Sequence, residues 1–255
     1  TAQAAVDVLE AAGFRVAVPK MNLCCGRPLY DWGMLDEAKG ALRQILDALK
    51  GPIEAGAPVV VLEPSCASVF RDELTNFFPN DEDAKRLSEQ TFLLSEFLQK
   101  KAPHFKPPRL KRKAVAHGHC HHKSLMKMDD EEAVFEKMGL DVEILDSGCC
   151  GMAGAFGFER GDHYDVSIKC GERVLLPAVR ATSKETIIIT DGFSCREQIA
   201  QLTHRRALHL AQVIEMAMRE GDVGAPRDYP EIAYTQPRPR RLSKGAIAVG
   251  LIASG

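Results

Sequence analysis

The sequence is short of most features that would name a function outright. It has one tryptophan and 6% aromatic residues in 255, and 33 basic against 35 acidic residues leave a net charge of -2. Without a basic surplus or aromatic platforms beside its basic stretches, nucleic acid is not an expected partner. No charged-then-apolar leader opens the chain, and no apolar run approaches the roughly 20 residues of a membrane span. Eight cysteines are too sparse for a small secreted disulfide framework. The short C-x-x-C knuckles typical of zinc sites are missing. Gly151, Gly154 and Gly157 resemble a phosphate loop, but cysteines precede them and no acidic partner follows. No flavin-binding glycine motif is present either.

What the sequence has is an internal repeat built on cysteine. Leu23-Cys24-Cys25-Gly26 and Gly148-Cys149-Cys150-Gly151 each follow a glycine-led apolar run, Gly13–Val18 and Gly139–Ile144. Each is followed at long range by a strand-like run and one more cysteine: Val59-Val60-Val61-Leu62 before Cys66, and Ile187-Ile188-Ile189 before Cys195. Cys25 and Cys66 lie 41 positions apart and Cys150 and Cys195 lie 45 apart, so the halves match with a small insertion.

Between these runs the apolar spacing predicts helices over 4–12, 36–49, 83–99, 129–138, 166–180, 196–202 and 206–219, with Gly51-Pro52 stopping the second. Alternating strands and helices give an α/β class: two pseudo-repeated lobes with mainly parallel sheets, each carrying one Cys-Cys-Gly loop. The lobes are read as 1–106 and 107–220, joined through the proline-rich, basic stretch around Lys101–Lys113, with 221–255 as a flexible tail. The short apolar run Gly245–Ala253 behind basic residues leaves open the start of a membrane helix. Thr1 falls inside a helix pattern and is not Met, so a piece of a longer polypeptide is expected.

Cys120, Cys149, Cys150 and Cys195 each follow a strand, which places them at the carboxyl edge of one sheet, where open α/β folds bind ligands. Four thiolates suit a structural zinc or an iron–sulfur cluster. The wide spacing around an adjacent pair, flanked by glycines whose amides can donate to sulfur, fits the multi-iron cluster better. Gly26 and Gly151 are candidates for that close approach. In the first half only Cys24, Cys25 and Cys66 are present, and the repeat offset puts a fourth ligand outside the chain. His119 and His121 are candidates for hydrogen bonding to cluster sulfur. Cys170 reads as a small hydrophobe within a helix. Arg71, Arg160 and Arg196 read as surface ion-pair partners or counter-charges, and Trp32 as core or as a wall of the site.

Two Cys-Cys-Gly units, each closed by a strand and a later cysteine, resemble the cysteine-rich CCG domain. This domain occurs in heterodisulfide reductase B subunits and in iron–sulfur subunits of glycolate oxidase, lactate-utilisation and anaerobic glycerol-3-phosphate dehydrogenases. Glu63-Pro64-Ser65-Cys66, His117-Gly118-His119-Cys120-His121, Cys149–Gly157 and Asp191–Arg196 resemble most closely the C-terminal iron–sulfur module of FAD-linked oxidases. The resemblance implies a 4Fe-4S type of cluster and an electron-relay role in a 2-hydroxy-acid dehydrogenase, with FAD on a partner domain or subunit and a quinone or other acceptor. It also implies a cytoplasmic location, with peripheral association at the inner membrane face as the variant. Cys66 and Cys195 stand alone where heterodisulfide reductases carry Cys-x-x-Cys, which favours four-ligand sites. A reductase whose cluster is itself catalytic and a structural zinc module are the alternatives.

Overall fold

A computed structural model describes residues 1–222 and 227–236. In the first half, α1 (Ala2–Ala11) leads into an extended segment. Then α2 (Arg27–Asp31), α3 (Leu35–Glu54), β1 (Val59–Val60), α4 (Pro64–Arg71), α5 (Glu73–Phe77), α6 (Glu82–Gln90), β2 (Thr91–Phe92) and α7 (Leu94–Lys100) follow. The second half has β3 (Lys113–Ala116), a π-helical turn (His122–Met126), α8 (Asp129–Met138), β4 (Asp141–Ile144), a 3₁₀ turn (Phe156–Phe158) and α9 (Asp162–Glu172). It continues through α10 (Leu175–Ala181), β5 (Ile187–Ile189), α11 (Phe193–Leu202), α12 (Leu210–Glu220) and α13 (Ile232–Thr235).

Both sheets are parallel, as the alternating pattern requires. β1 pairs with β2, while β3 lies between β4 and β5. The expected strand over Gly13–Val18 is extended chain with a single bridging residue, Ala17. Phe14 there packs edge-on against Phe97, with ring centroids 4.8 Å apart.

The expected helix over 83–99 is two helices with a strand between them. Thr91 and Phe92, β-branched and aromatic, take the parallel pairing with Val59 and Val60. The Glu96 side chain then accepts from the Leu93 amide at 2.8 Å and starts α7 afresh. The stretch 166–180 likewise divides at Arg173-Val174, leaving Pro177 in the first turn of α10, where an intrahelical N–H is not needed. Conversely, α3 runs past Gly51-Pro52 to Glu54, because Ile53 continues the buried face of Leu42, Ile45, Leu46 and Leu49. Residues ahead of α12 are extended rather than helical, and Leu208 bonds to the edge of β5.

The halves share one core. Leu9, Leu62 and Phe97 from the first pack in the same buried cluster as Met138, Ile189 and Ile214 from the second, with α1 against α12. Smaller clusters lie under each Cys-Cys-Gly loop. Part of the segment read as a tail is packed: Glu231 is 1% exposed and meets Arg205 Nε at 2.7 Å, while Gln212 donates to Tyr234 O at 2.6 Å. The apolar run Gly245–Ala253 lies outside the described residues.

Removing one partner of a buried ion pair strands the other charge, so Glu231→Ala is expected to cost about 3–5 kcal/mol in urea unfolding. Asp228→Ala, in the exposed pair with Lys184, is expected to cost about 0–1 kcal/mol. Equal effects from the two would contradict the docking of 227–236.

Candidate metal centre

Because β3, β4 and β5 are parallel, the turns that leave them open on one edge. Those turns carry Cys120, Cys149-Cys150 and Cys195. The thiols meet in sequence: Cys120 beside Cys149, Cys149 beside Cys150, Cys150 beside Cys195. Cys150 and Cys195 are buried, Cys120 is half-buried and Cys149 is exposed, so the group has a sealed side and an open side.

The turn itself is dictated by glycine. Gly151 has φ of +97°, and a Cβ there would sit 2.0 Å from the Ser167 carbonyl oxygen. Its amide donates to Cys149 Sγ at 3.3 Å. Lys123 clamps the same turn, donating to the carbonyls of Ser147 and Gly148. Cys170 lies half-buried beneath it, its Cβ 3.0 Å from the position a Gly151 Cβ would take.

The four sulfurs set one another's protonation. Hydrogen bonds from Cys120 and then Cys150 hold Cys149 well below the ordinary thiol range, and the same contact with Cys149 pushes Cys120 up. Cys150 is raised by Cys149 and Cys195, whereas Cys195 is held down by Cys150 and next by His117. Like charges this close cannot all ionise unless a cation sits among them. Four soft sulfur donors on rigid strand ends, with an amide aimed at one of them, fit an iron–sulfur cluster.

His119 and His121 lie on the Cys120 side of the group. His119 Nδ1 is 4.0 Å from Cys120 Sγ, and its ring covers Gly192, where any Cβ would fall 2.3 Å from Cδ2. His121 stacks obliquely on His119 at 5.2 Å, and burial, then the charge of His119, lowers it to about 4. His119, Cys120 and His121 also bring their ligand atoms within 4.8 Å of one another. His117, set behind His119 and His121 in the sequence reading, also reaches the site. It lies beside Cys195 and is fixed by a 2.6 Å bond from Nδ1 to Ser147 Oγ. Further in, His122 Nδ1 meets Glu131 Oε2 at 3.3 Å. Burial lowers the histidine and raises the carboxyl.

The first half repeats the geometry with three thiols. Cys25 Sγ lies 2.9 Å from Cys66 Sγ, and Cys24 adjoins Cys25. The Gly26 amide points at Cys24 Sγ at 3.5 Å with φ of +78°, matching Gly151. The contact with Cys25 and burial raise Cys24. For Cys25 the bond from Cys24 lowers the thiol, but Cys66 and burial outweigh it and raise it. The loops approach each other: a Cβ on Gly154 would lie 3.5 Å from Asp31 Oδ2.

Arg71 takes the ion-pairing alternative, and Arg196 bonds to backbone. Arg71 bonds Glu96 and the Thr91 carbonyl, and Arg196 the carbonyls of Thr190 and Asp191. Trp32 is 57% exposed and is not core.

The family model of the cysteine-rich domain named CCG matches residues 1–71 and 115–200, covering both cysteine turns of each half. The chain belongs to the CCG family. Among CCG relatives, lactate utilization protein A of Anoxybacillus flavithermus is 30% identical over 185 residues, 68% of this chain and 76% of that protein. A subunit of the anaerobic glycerol-3-phosphate dehydrogenase of Escherichia coli is 28% identical over 220 residues, 84% of this chain and 54% of the relative. D-2-hydroxyglutarate dehydrogenase of Pseudomonas putida is 29% identical over 214 residues, 82% of this chain but 20% of the relative. The chain thus spans about half the length of the Escherichia coli protein and a fifth of the Pseudomonas putida one.

Gly151→Ala forces a side chain into the left-handed region against a carbonyl, at about 1–2 kcal/mol for the conformation alone. It should lower the melting temperature by several degrees, whereas Gly148→Ala, with nothing within 4 Å of its Cβ position, should leave it unchanged. Thermal unfolding followed by circular dichroism checks the pair, and equal melting temperatures would contradict the tight turn.

Proposed function

We propose that this CCG chain is the electron-transfer module of a flavin-linked dehydrogenase acting on a 2-hydroxy acid. Electrons pass from an FAD on another domain or subunit to a quinone or other acceptor. The observation that carries the reading is the convergence of Cys120, Cys149, Cys150 and Cys195 at one sheet edge. In it these four ligate one cluster of the 4Fe-4S type, and Cys24, Cys25 and Cys66 supply three ligands to a second. Each repeat, 1–106 and 107–220, holds one site. The relatives' names, which include lactate utilization and D-2-hydroxyglutarate dehydrogenase, support the substrate class.

Bound there, such a group supplies one-electron storage at a potential set by its surroundings. The chain's own residues do the rest. Gly26 and Gly151 donate amide hydrogens to sulfur and stabilise the reduced, more negative state. His119 and His121 line the Cys120 side and His117 the Cys195 side. Burial of Cys25, Cys66, Cys150 and Cys195 excludes water, while exposed Cys24 and Cys149 give each site an edge through which electrons enter or leave. No described helix is long and apolar enough to cross a membrane. In this reading a quinone acceptor is reached by peripheral association at the cytoplasmic face.

The test separates the two halves of the cycle in the full-length protein. In Cys150→Ala, stopped-flow flavin reduction by the hydroxy acid should be unchanged. Steady-state acceptor reduction should fall by more than ~100-fold, the upper range for disturbing the surroundings of a metal site. Loss of flavin reduction along with turnover in a folded variant would place the cysteines in the substrate site, and survival of both would make them structural.

A further inference from the structure

The two cysteine sites lie on different halves, yet the turns that carry them are bonded to each other. Leu62 and Glu63 follow the first-half strand β1, three to four residues before Cys66. Each receives a bond from the second half. His209 Nε2 donates to the Leu62 carbonyl at 2.9 Å. The Phe193 amide, two residues before Cys195, donates to Glu63 Oε2 at 2.6 Å. His209 Nδ1 accepts from the Ala211 amide, which fixes the tautomer that places the proton on Nε2.

Glu63 is also the N-cap of its own helix. Its Oε1 accepts from Ser65 N at 3.3 Å and Ser65 Oγ at 2.9 Å, leaving the side chain 7% exposed. One carboxyl group therefore faces the first turns of two helices, α4 with Cys66 at its third position and α11 with Cys195 at its third. Both oxygens receive N–H or O–H donors, the arrangement of an acceptor-only carboxylate. No neighbouring cation is needed to explain it, because the positive ends of two helices converge there.

Resting on the cluster reading above, we propose that Glu63 is a positioning residue shared by both metal sites, a single carboxylate that locks the Cys66 turn to the Cys195 turn. Two consequences follow from its chemistry. The first is mechanical: the geometry at Cys195 depends on a side chain from the other half. The second is electrostatic: its negative charge opposes the addition of an electron at either site, so neutralising it raises the reduction potential even of the second-half cluster.

Glu63→Ala removes both caps. Glu63→Gln removes the charge and keeps at most one cap, because an amide nitrogen cannot accept from Phe193 or Ser65. In the full-length protein, hydrogen exchange at the Phe193 amide is expected to speed up about fivefold in Glu63→Ala, the typical worth of an N-cap. The midpoint potential of the cluster bound by Cys120, Cys149, Cys150 and Cys195 is expected to move to more positive values in both variants, with its iron content unchanged. If Glu63→Ala does not fold, the potential of Glu63→Gln decides. Unchanged Phe193 exchange in a folded Glu63→Ala, or a potential that stays at the wild-type value, overturns the proposal. Wild-type protein that binds no iron would instead sink the cluster reading. The exchange measurement, which needs no metal, would still decide whether Glu63 ties the turns together.

Discussion

Four sulfurs in mutual contact cannot all carry negative charge without a cation between them. That electrostatic constraint governs the second half of the molecule. Contacts with Cys120 and Cys150 lower the Cys149 thiol, and contacts with Cys150 and then His117 lower that of Cys195, while Cys120 and Cys150 are raised. A metal cluster held by these cysteines would relieve the conflict by supplying positive charge. The fold's part is to hold the sulfurs close enough for the conflict to arise. Parallel β3, β4 and β5 deliver them to one edge, and Gly151 gives a turn that no side chain fits.

The repeat explains why the first half looks like an incomplete version of the second. Gly26 stands to Cys24 as Gly151 stands to Cys149, with the same left-handed backbone and the same amide-to-sulfur direction. The halves do not behave as independent domains. Their strands and helices share a core through Leu62, Phe97, Met138 and Ile189, and the segments that follow β1 and β5 are cross-bonded by His209 and Glu63. A duplicated unit has thus become one body with two sites.

The convergence of Cys120, Cys149, Cys150 and Cys195 was legible in the sequence, because cysteines shortly after strand-like runs fall on the carboxyl edge of a parallel sheet. The α/β class followed from the same alternation. What escaped was decided by tertiary partners. Thr91-Phe92 sits within a run of helical spacing and becomes a strand because β1 is there to pair with it. Gly13–Val18 has strand composition but forms no ladder among the described residues. Trp32, at 57% exposed, is not core, one of the two places its residue type and position suggested. Glu231, in a stretch of proline and charge, is buried because Arg205 awaits it across the fold. The roles of His117 and Glu63 depend on contacts with Cys195 and Phe193 that no local pattern encodes.

The central claim is that Cys120, Cys149, Cys150 and Cys195 together hold one iron–sulfur cluster. The most direct measurement is iron and acid-labile sulfide per chain after anaerobic reconstitution, across single cysteine-to-alanine variants. The account predicts that each of these four substitutions removes one cluster's worth of iron and sulfide, while Cys170→Ala retains the full complement. Retention of all iron in Cys149→Ala, or wild-type protein that holds zinc without sulfide, would contradict it.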